Sequence, residues 1–163
     1  MAIQLDEIDV RLLGELETDA DRPNVELARI VGLSPAATLN RVRRMKETGV
    51  IRKITARLDS ATAGFTLQVY VLATIQHNES AERRFNAEVM AMDNIIAADT
   101  VAGETDAILM IVAHDVADLH VVLSRLSTRG GAQRLITLLR LAELKPSSPL
   151  PLRATGVQSR RAS

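Results

Sequence analysis

Asn40, Arg41, Arg43 and Arg44 fall within five consecutive positions, and that set of side chains has the chemistry to read a nucleic acid. An asparagine amide pairs bidentately with adenine, a guanidinium with guanine, and further cations neutralise phosphates. At about 100° per residue, a helix through this segment turns Thr38, Leu39, Val42 and Met45 inward. Ala36, Ala37, Asn40, Arg43 and Arg44 are then left on the open face, with Arg41 beside it. Small residues at the helix start permit close approach to base edges. The candidate DNA-contacting set is therefore Ser34, Pro35, Ala36, Ala37, Asn40, Arg41, Arg43 and Arg44. The plainer alternative is a solvated basic helix face, and the surrounding punctuation and charge decide between the two.

A second candidate is the turn Gly103-Glu104-Thr105-Asp106. Its two acids stand between apolar runs, where charges cost free energy unless solvated or paired. A ligand ammonium, or Arg134 of a neighbouring subunit, would supply the pairing, and nearby amides would hold a carboxylate. The turn is thus a candidate effector site, with an ordinary polar hairpin as the alternative. His77, His114 and His120 suggest a metal, but Asp115 and Asp118 have the spacing of a helix cap, so no metal site is expected. With no cysteine in the chain, disulfides, thiolate metal sites and cysteine nucleophiles are excluded. No nucleophile elbow, phosphate-binding Gly-Lys-Ser loop or dinucleotide fingerprint occurs, so no enzyme and no cofactor are expected.

The elements that must position these residues can be read from periodicity. Leu5, Ile8, Leu12, Leu13 and Leu16 recur at helical spacing, with Asp6 as cap; Asn24 is placed to cap a short helix over Val25–Val31 that Gly32 ends. Gly32-Leu33-Ser34-Pro35 stops one helix and starts another, with Ser34 as N-cap and Pro35 in the first turn. This is helix-turn-helix punctuation, with a leading helix to complete the core. Val50–Leu58 is rich in β-branched residues and predicts a strand leading out of a winged-type domain. Thr66–Gln76 alternates as a half-buried strand. Ala81, Phe85, Val89 and Met92 mark a helix. Asn94–Ala102 and Ala107–Ala113 read as strands, Val116, Leu119, Leu123 and Leu126 as one side of a helix, and Arg134–Glu143 as the last strand.

That order is ferredoxin-like βαββαβ, so the fold class is α+β. The expected organisation is a helix-turn-helix domain at 1–52, a connecting strand and linker at 53–64, a ferredoxin-like domain at 65–145 and a disordered tail at 146–163. Two helices cover one sheet face; a second subunit is expected to cover the other.

The net charge of zero conceals a segregation. Residues 1–28 carry −6, whereas residues 29–57 hold eight basic residues against Glu47 alone, a net +7. The block coincides with the helix-turn-helix and marks a polyanion footprint. The first residues are acidic and lack an apolar run, and no stretch reaches membrane-spanning length, so a cytoplasmic, nucleoid-associated protein with no membrane partner is expected.

Leu5-Asp6-Glu7-Ile8-Asp9, Val31-Gly32-Leu33-Ser34-Pro35, Arg41-Val42-Arg43-Arg44-Met45 and Gly49-Val50-Ile51 together resemble the Lrp/AsnC feast/famine family of prokaryotic transcription regulators, over about residues 3–145. The resemblance implies double-stranded DNA as partner, a second domain that binds an amino acid, and homodimers assembling into tetramers or octamers. Gly103–Asp106 is similar to that family's Gly-Asp-x-Asp turn near its effector site, departing from it in Glu104 and in Thr105 where an aromatic is usual. Two other readings stand beside a specific, effector-responsive regulator. One is a nucleoid-organising protein with little effector response; the other is an enzyme similar to sirohaem decarboxylases, which would need tetrapyrrole-facing histidines and arginines and no DNA-competent helix.

Overall fold

Two separate apolar cores organise the chain, and each belongs to one of two units. In the computed structural model, which describes residues 4–154, the first unit is Met1–Arg57 with Pro146–Ser163 and the second is Leu58–Lys145.

The first unit is built on three helices, α1 (Glu7–Thr18), α2 (Asn24–Val31) and α3 (Pro35–Glu47). Their apolar stripes meet in Leu12, Leu13, Leu27, Val42 and Met45, with Leu5, Ile8 and Leu16 packed on the edge. As expected, Asp6 caps α1, Ser34 caps α3 with Pro35 in its first turn, and Gly32 ends α2 at φ 72°, a conformation that glycine adopts without a Cβ penalty. Asn24 is a correction: Pro23 precedes the first turn of α2, and the Asn24 side chain instead donates to the Pro35 carbonyl at 2.8 Å. That bond ties the start of α2 to the start of α3 and so fixes the turn between them.

A second correction concerns Val50–Leu58, where no strand forms. β-branched residues favour extended backbone, but a strand exists only where a neighbour completes its hydrogen bonds. Among the described residues no such neighbour is present in this unit, and no wing hairpin accompanies the three helices. The third correction is the tail. Residues 155–163 lie outside the described residues, but 146–154 do not drift free. Leu152 packs on the three-helix core, and the Leu150 amide donates to the Glu17 carboxylate at 3.1 Å.

The second unit follows the expected order: β1 (Leu67–Thr74), α4 (Glu79–Met90), β2 (Ile95–Thr100), β3 (Ala107–Ala113), α5 (Val116–Thr128) and β4 (Arg134–Leu139). The strands form one antiparallel sheet in the order β2-β3-β1-β4. Alternation assigns the faces. Val69, Val71 and Ala73 of β1 and Leu109 and Ile111 of β3 point to the helices, where they meet Phe85 of α4 and Val122 and Leu126 of α5. The last strand is shorter than expected, ending at Leu139, and Val116 is an exposed first-turn residue rather than part of the packed side of α5.

On the opposite face the register builds two apolar rows, Met110-Tyr70-Leu138 and Ile108-Leu72-Ile136. Leu138 remains 47% exposed.

Candidate nucleic-acid interface and effector turn

The exposed surface of α3 follows from which of its residues the core claims. Thr38, Val42 and Met45 are buried, and the Thr38 hydroxyl donates back to the Ser34 carbonyl at 3.1 Å. At 100° per residue the line diametrically opposite runs through Ala36, Asn40, Arg43 and Glu47, all exposed. Leu39, expected on the buried stripe, is 49% exposed and flanks that line. The stripe needs only three residues to fill the space beneath α3, so the fourth apolar residue turns outward. Ser34 and Pro35 are exposed at the helix start and Ala37 is half-buried there, its amide donating to the Ser34 hydroxyl at 3.2 Å.

The arginines divide into two kinds. Arg43 has no ion-pair partner among the described residues and is exposed. Arg41 and Arg44 are held by α1. Arg41 donates to Asp6 at 2.7 Å and to Asp9 at 2.9 Å, while Arg44 donates to the other oxygen of Asp9 at 2.5 Å. Asp9 is only 1% exposed. It also closes the capping box of α1, its carboxylate accepting the Asp6 amide while the Asp6 carboxylate accepts the Asp9 amide at 2.8 Å. A buried carboxylate is tolerated only when paired and hydrogen-bonded, and Asp9 meets both conditions through the very helix it supports. Sequence reasoning placed all three arginines with the DNA and missed this clamp. The signal available was the acid pair Asp6 and Asp9 at helical spacing, next to a block of opposite charge.

The Asp9 amide, and then the Arg41 guanidinium, hold the Asp6 carboxyl below its ordinary value of 3.8. A carboxyl lowered in the folded state contributes stability above its unfolded value and loses it as the pH falls through the folded one. Asp6→Asn should therefore flatten the decline in thermal midpoint below about pH 4 relative to the parent. A parent and variant with parallel acid profiles would show that Asp6 contributes nothing to acid sensitivity.

At the second candidate site, Gly103 takes a positive φ of 150° and Glu104 projects into solvent, while Thr105 and Asp106 are half-buried. Asp106 is the best-connected of the four. Its amide donates to the Ala73 carbonyl at 2.9 Å, its carboxylate accepts the Ile75 amide at 2.8 Å, and its other oxygen lies 3.7 Å from His77 Nδ1. The turn is thereby stitched to the end of β1, with one Asp106 oxygen engaged by backbone and the other facing an exposed imidazole. Asp115, as expected, caps α5 through the Asp118 amide at 2.8 Å. Among the described residues no cluster of three or more metal-ligating side chains occurs, and no helix is long and apolar enough to cross a membrane.

Comparison with known proteins agrees with this division of labour. Residues 5–46 match the AsnC-type helix-turn-helix domain, and residues 68–150 match the Lrp/AsnC ligand binding domain. The chain is 35% identical to the transcriptional regulator AldR of Mycolicibacterium smegmatis over 91% of its own length and 88% of that protein. It is 32% identical to the leucine-responsive regulatory protein of Rhizobium meliloti, over 88% of its own length and 93% of that one. A transcriptional regulator from Neisseria meningitidis, solved as its L-Met complex, superposes with a TM-score of 0.85 at 29% identity, covering 90% of this chain and 96% of that one. With one family domain on the three helices and the other on the four-stranded sheet, the chain belongs to the Lrp/AsnC family of transcriptional regulators.

Proposed function

We propose that the N-terminal half of α3 enters the major groove of double-stranded DNA and that Ala36, Asn40 and Arg43 face the base edges. The observation that carries this reading is the outward line of α3. It holds one guanidinium with no ion-pair partner among the described residues and one carboxamide, on the side opposite the buried stripe. Ala36 keeps the line low enough for close approach, Asn40 suits adenine and Arg43 suits guanine. Ser34, Pro35 and Ala37 lie at the helix start, where the Ala36 amide and the positive end of the helix dipole can meet a phosphate. Arg44 is about half exposed and retains donors for a phosphate beyond its bond to Asp9, whereas Arg41 serves mainly to seat α3 on α1. Titration of the protein against DNA from its own promoter region should show affinity that falls steeply as salt rises. The absence of salt-sensitive binding to any duplex would overturn the reading.

The second unit serves assembly and sensing. The apolar rows on the open sheet face support a two-fold, self-complementary contact with a second copy, so that paired recognition helices meet half-sites about one helical turn, roughly 34 Å, apart. Further association to tetramers or octamers, and a response to an amino acid, are supported by the family and by the L-Met complex of the Neisseria relative. An effector acts there only through its different affinity for two assemblies.

The bonds of Asp106 to the backbone of Ala73 and Ile75 support different tasks for the two acids of the turn. Asp106→Ala should lower the melting temperature without any ligand, because the Ile75 amide loses its partner; Glu104→Ala should melt normally and weaken the heat of amino-acid binding. Calorimetry and melting curves on both variants test the assignment. A Glu104→Ala protein that responds to amino acids as the parent does would remove Glu104 from the site.

A further inference from the structure

Of the large apolar side chains of α3, Val42 and Met45 are buried and Leu39 is 49% exposed. Single exposed leucines are ordinary on protein surfaces, so the exposure alone carries no function. The neighbours of Leu39 single it out. It lies three positions after Ala36 and four before Arg43, spacings that make it a surface neighbour of both, on the flank of the outward line that Ala36, Asn40 and Arg43 define. The same line ends in the exposed Glu47, whose carboxylate phosphates repel, so contact is confined to the N-terminal half of α3, where Leu39 stands. That half is pinned from two directions. The Ser34 hydroxyl accepts the Ala37 amide at 3.2 Å, and the Asn24 side chain donates at 2.8 Å to the carbonyl of Pro35, one turn before Leu39.

We propose that Leu39 is a specificity-determining residue of the DNA contact: its isobutyl group packs against the C5-methyl of a thymine in the major groove, beside the guanine that Arg43 reads. This rests on the DNA-binding reading above. Chemistry identifies the partner. A leucine side chain neither donates nor accepts a hydrogen bond, and the thymine methyl is the apolar group that base pairs present in the major groove. Bringing the two together removes apolar surface of both from water. Four residues of helix rise by roughly 6 Å, about two base-pair steps, which sets the thymine within about three base pairs of the guanine. The contact is uncharged, so it contributes to base preference and not to salt dependence.

The test replaces thymines by deoxyuridine, one at a time, in the duplex that the full chain prefers. Each replacement removes one methyl group and leaves the O4 acceptor and the base pairing in place. Fluorescence anisotropy on the parent should show a loss of about 3- to 5-fold at one thymine, the scale of one buried methyl group. That thymine should lie within about three base pairs of the position at which Arg43→Ala relaxes preference. Leu39→Ala and Leu39→Gln should bind the thymine duplex more weakly, be indifferent to the same replacement, and keep the parental salt slope. Such coupling between one side chain and one methyl group is a readout that a merely structural role of Leu39 would not move. Glutamine retains the length and helix propensity of leucine and provides the second variant should Leu39→Ala not fold, which a thermal melt on each protein verifies.

A parent indifferent to deoxyuridine at every position, or variants as sensitive as the parent, would overturn the proposal and leave the roles of Asn40 and Arg43 standing. Variants that melt earlier yet keep the full sensitivity would also overturn it, assigning Leu39 to packing alone. A sensitive thymine far from the guanine of Arg43 would overturn the placement of Leu39 beside it. A parent that binds no duplex would remove the DNA reading itself.

Discussion

Replacing Asp9 by alanine is expected to be among the most destabilising single changes in the first unit, although no apolar contact is deleted. The side chain is buried, both oxygens are engaged by guanidinium groups of α3, and one of them also accepts the capping-box amide of α1. Removal leaves Arg41 with Asp6 alone and Arg44 without its acid, and it opens the start of α1. Hydrogen bonds to charged groups are worth roughly 1.5–3 kcal/mol each when buried, but Arg41 and Arg44 are partly solvated, so a total of about 2–3 kcal/mol is the reasonable expectation. For a unit of this size that corresponds to a fall in melting temperature on the order of 10 °C. Differential scanning calorimetry on the full chain would register it as a shift of the first unit's transition. Asp9→Ala melting within a degree of the parent would show that the ion pairs contribute no net stability. Asp9→Asn separates charge from shape, because an amide can still accept one hydrogen bond yet cannot balance two cations.

The second large effect concerns recognition. Arg43→Ala should weaken binding to the preferred site by about 1–3 kcal/mol, roughly 5- to 150-fold, and relax preference at one base position, with the melting temperature unchanged. Arg41→Ala should do the reverse, lowering the melting temperature while leaving the base preference alone, because its guanidinium is committed to Asp6 and Asp9. Selection from a randomised duplex pool, run with both variants, distinguishes the two residues. If Arg41→Ala changes the preferred sequence and Arg43→Ala does not, the assignment of the two arginines must be exchanged.

These two experiments fall on either side of what the chain discloses by itself. Local features were legible: the cap at Asp6, the Ser34-Pro35 start, the αL glycine at 32 and the strict alternation of β1 each depend on neighbours within a few positions. The ferredoxin-like order followed from them. What stayed hidden depends on pairs distant in sequence. Asn24 has the composition of a cap, and only the approach of Pro35 shows where its amide goes. Residues 50–57 have strand propensity with no strand to pair with among the described residues of their own unit. Leu39 sits at the margin of a stripe whose centre periodicity cannot fix to better than one residue. The clamp of Asp9 on two arginines spans more than thirty positions, and that of Glu17 on Leu150 spans 133. In composition, residues 146–154 are indistinguishable from a solvated tail, and the packing of Leu152 with the bond of the Leu150 amide to Glu17 decides otherwise.

A polypeptide emerging from the ribosome delivers α1, α2 and α3 long before it delivers Leu150 and Leu152. The first unit must therefore form its core with one edge still bare, and the entire second unit is synthesised before that edge can be covered. Closing so long a loop costs entropy that grows only with the logarithm of its length, so the final contact can be made after the fact without great penalty. That contact forms late, as a separate event, and a nascent chain stalled before Leu150 would carry a formed α3 on an unfinished scaffold.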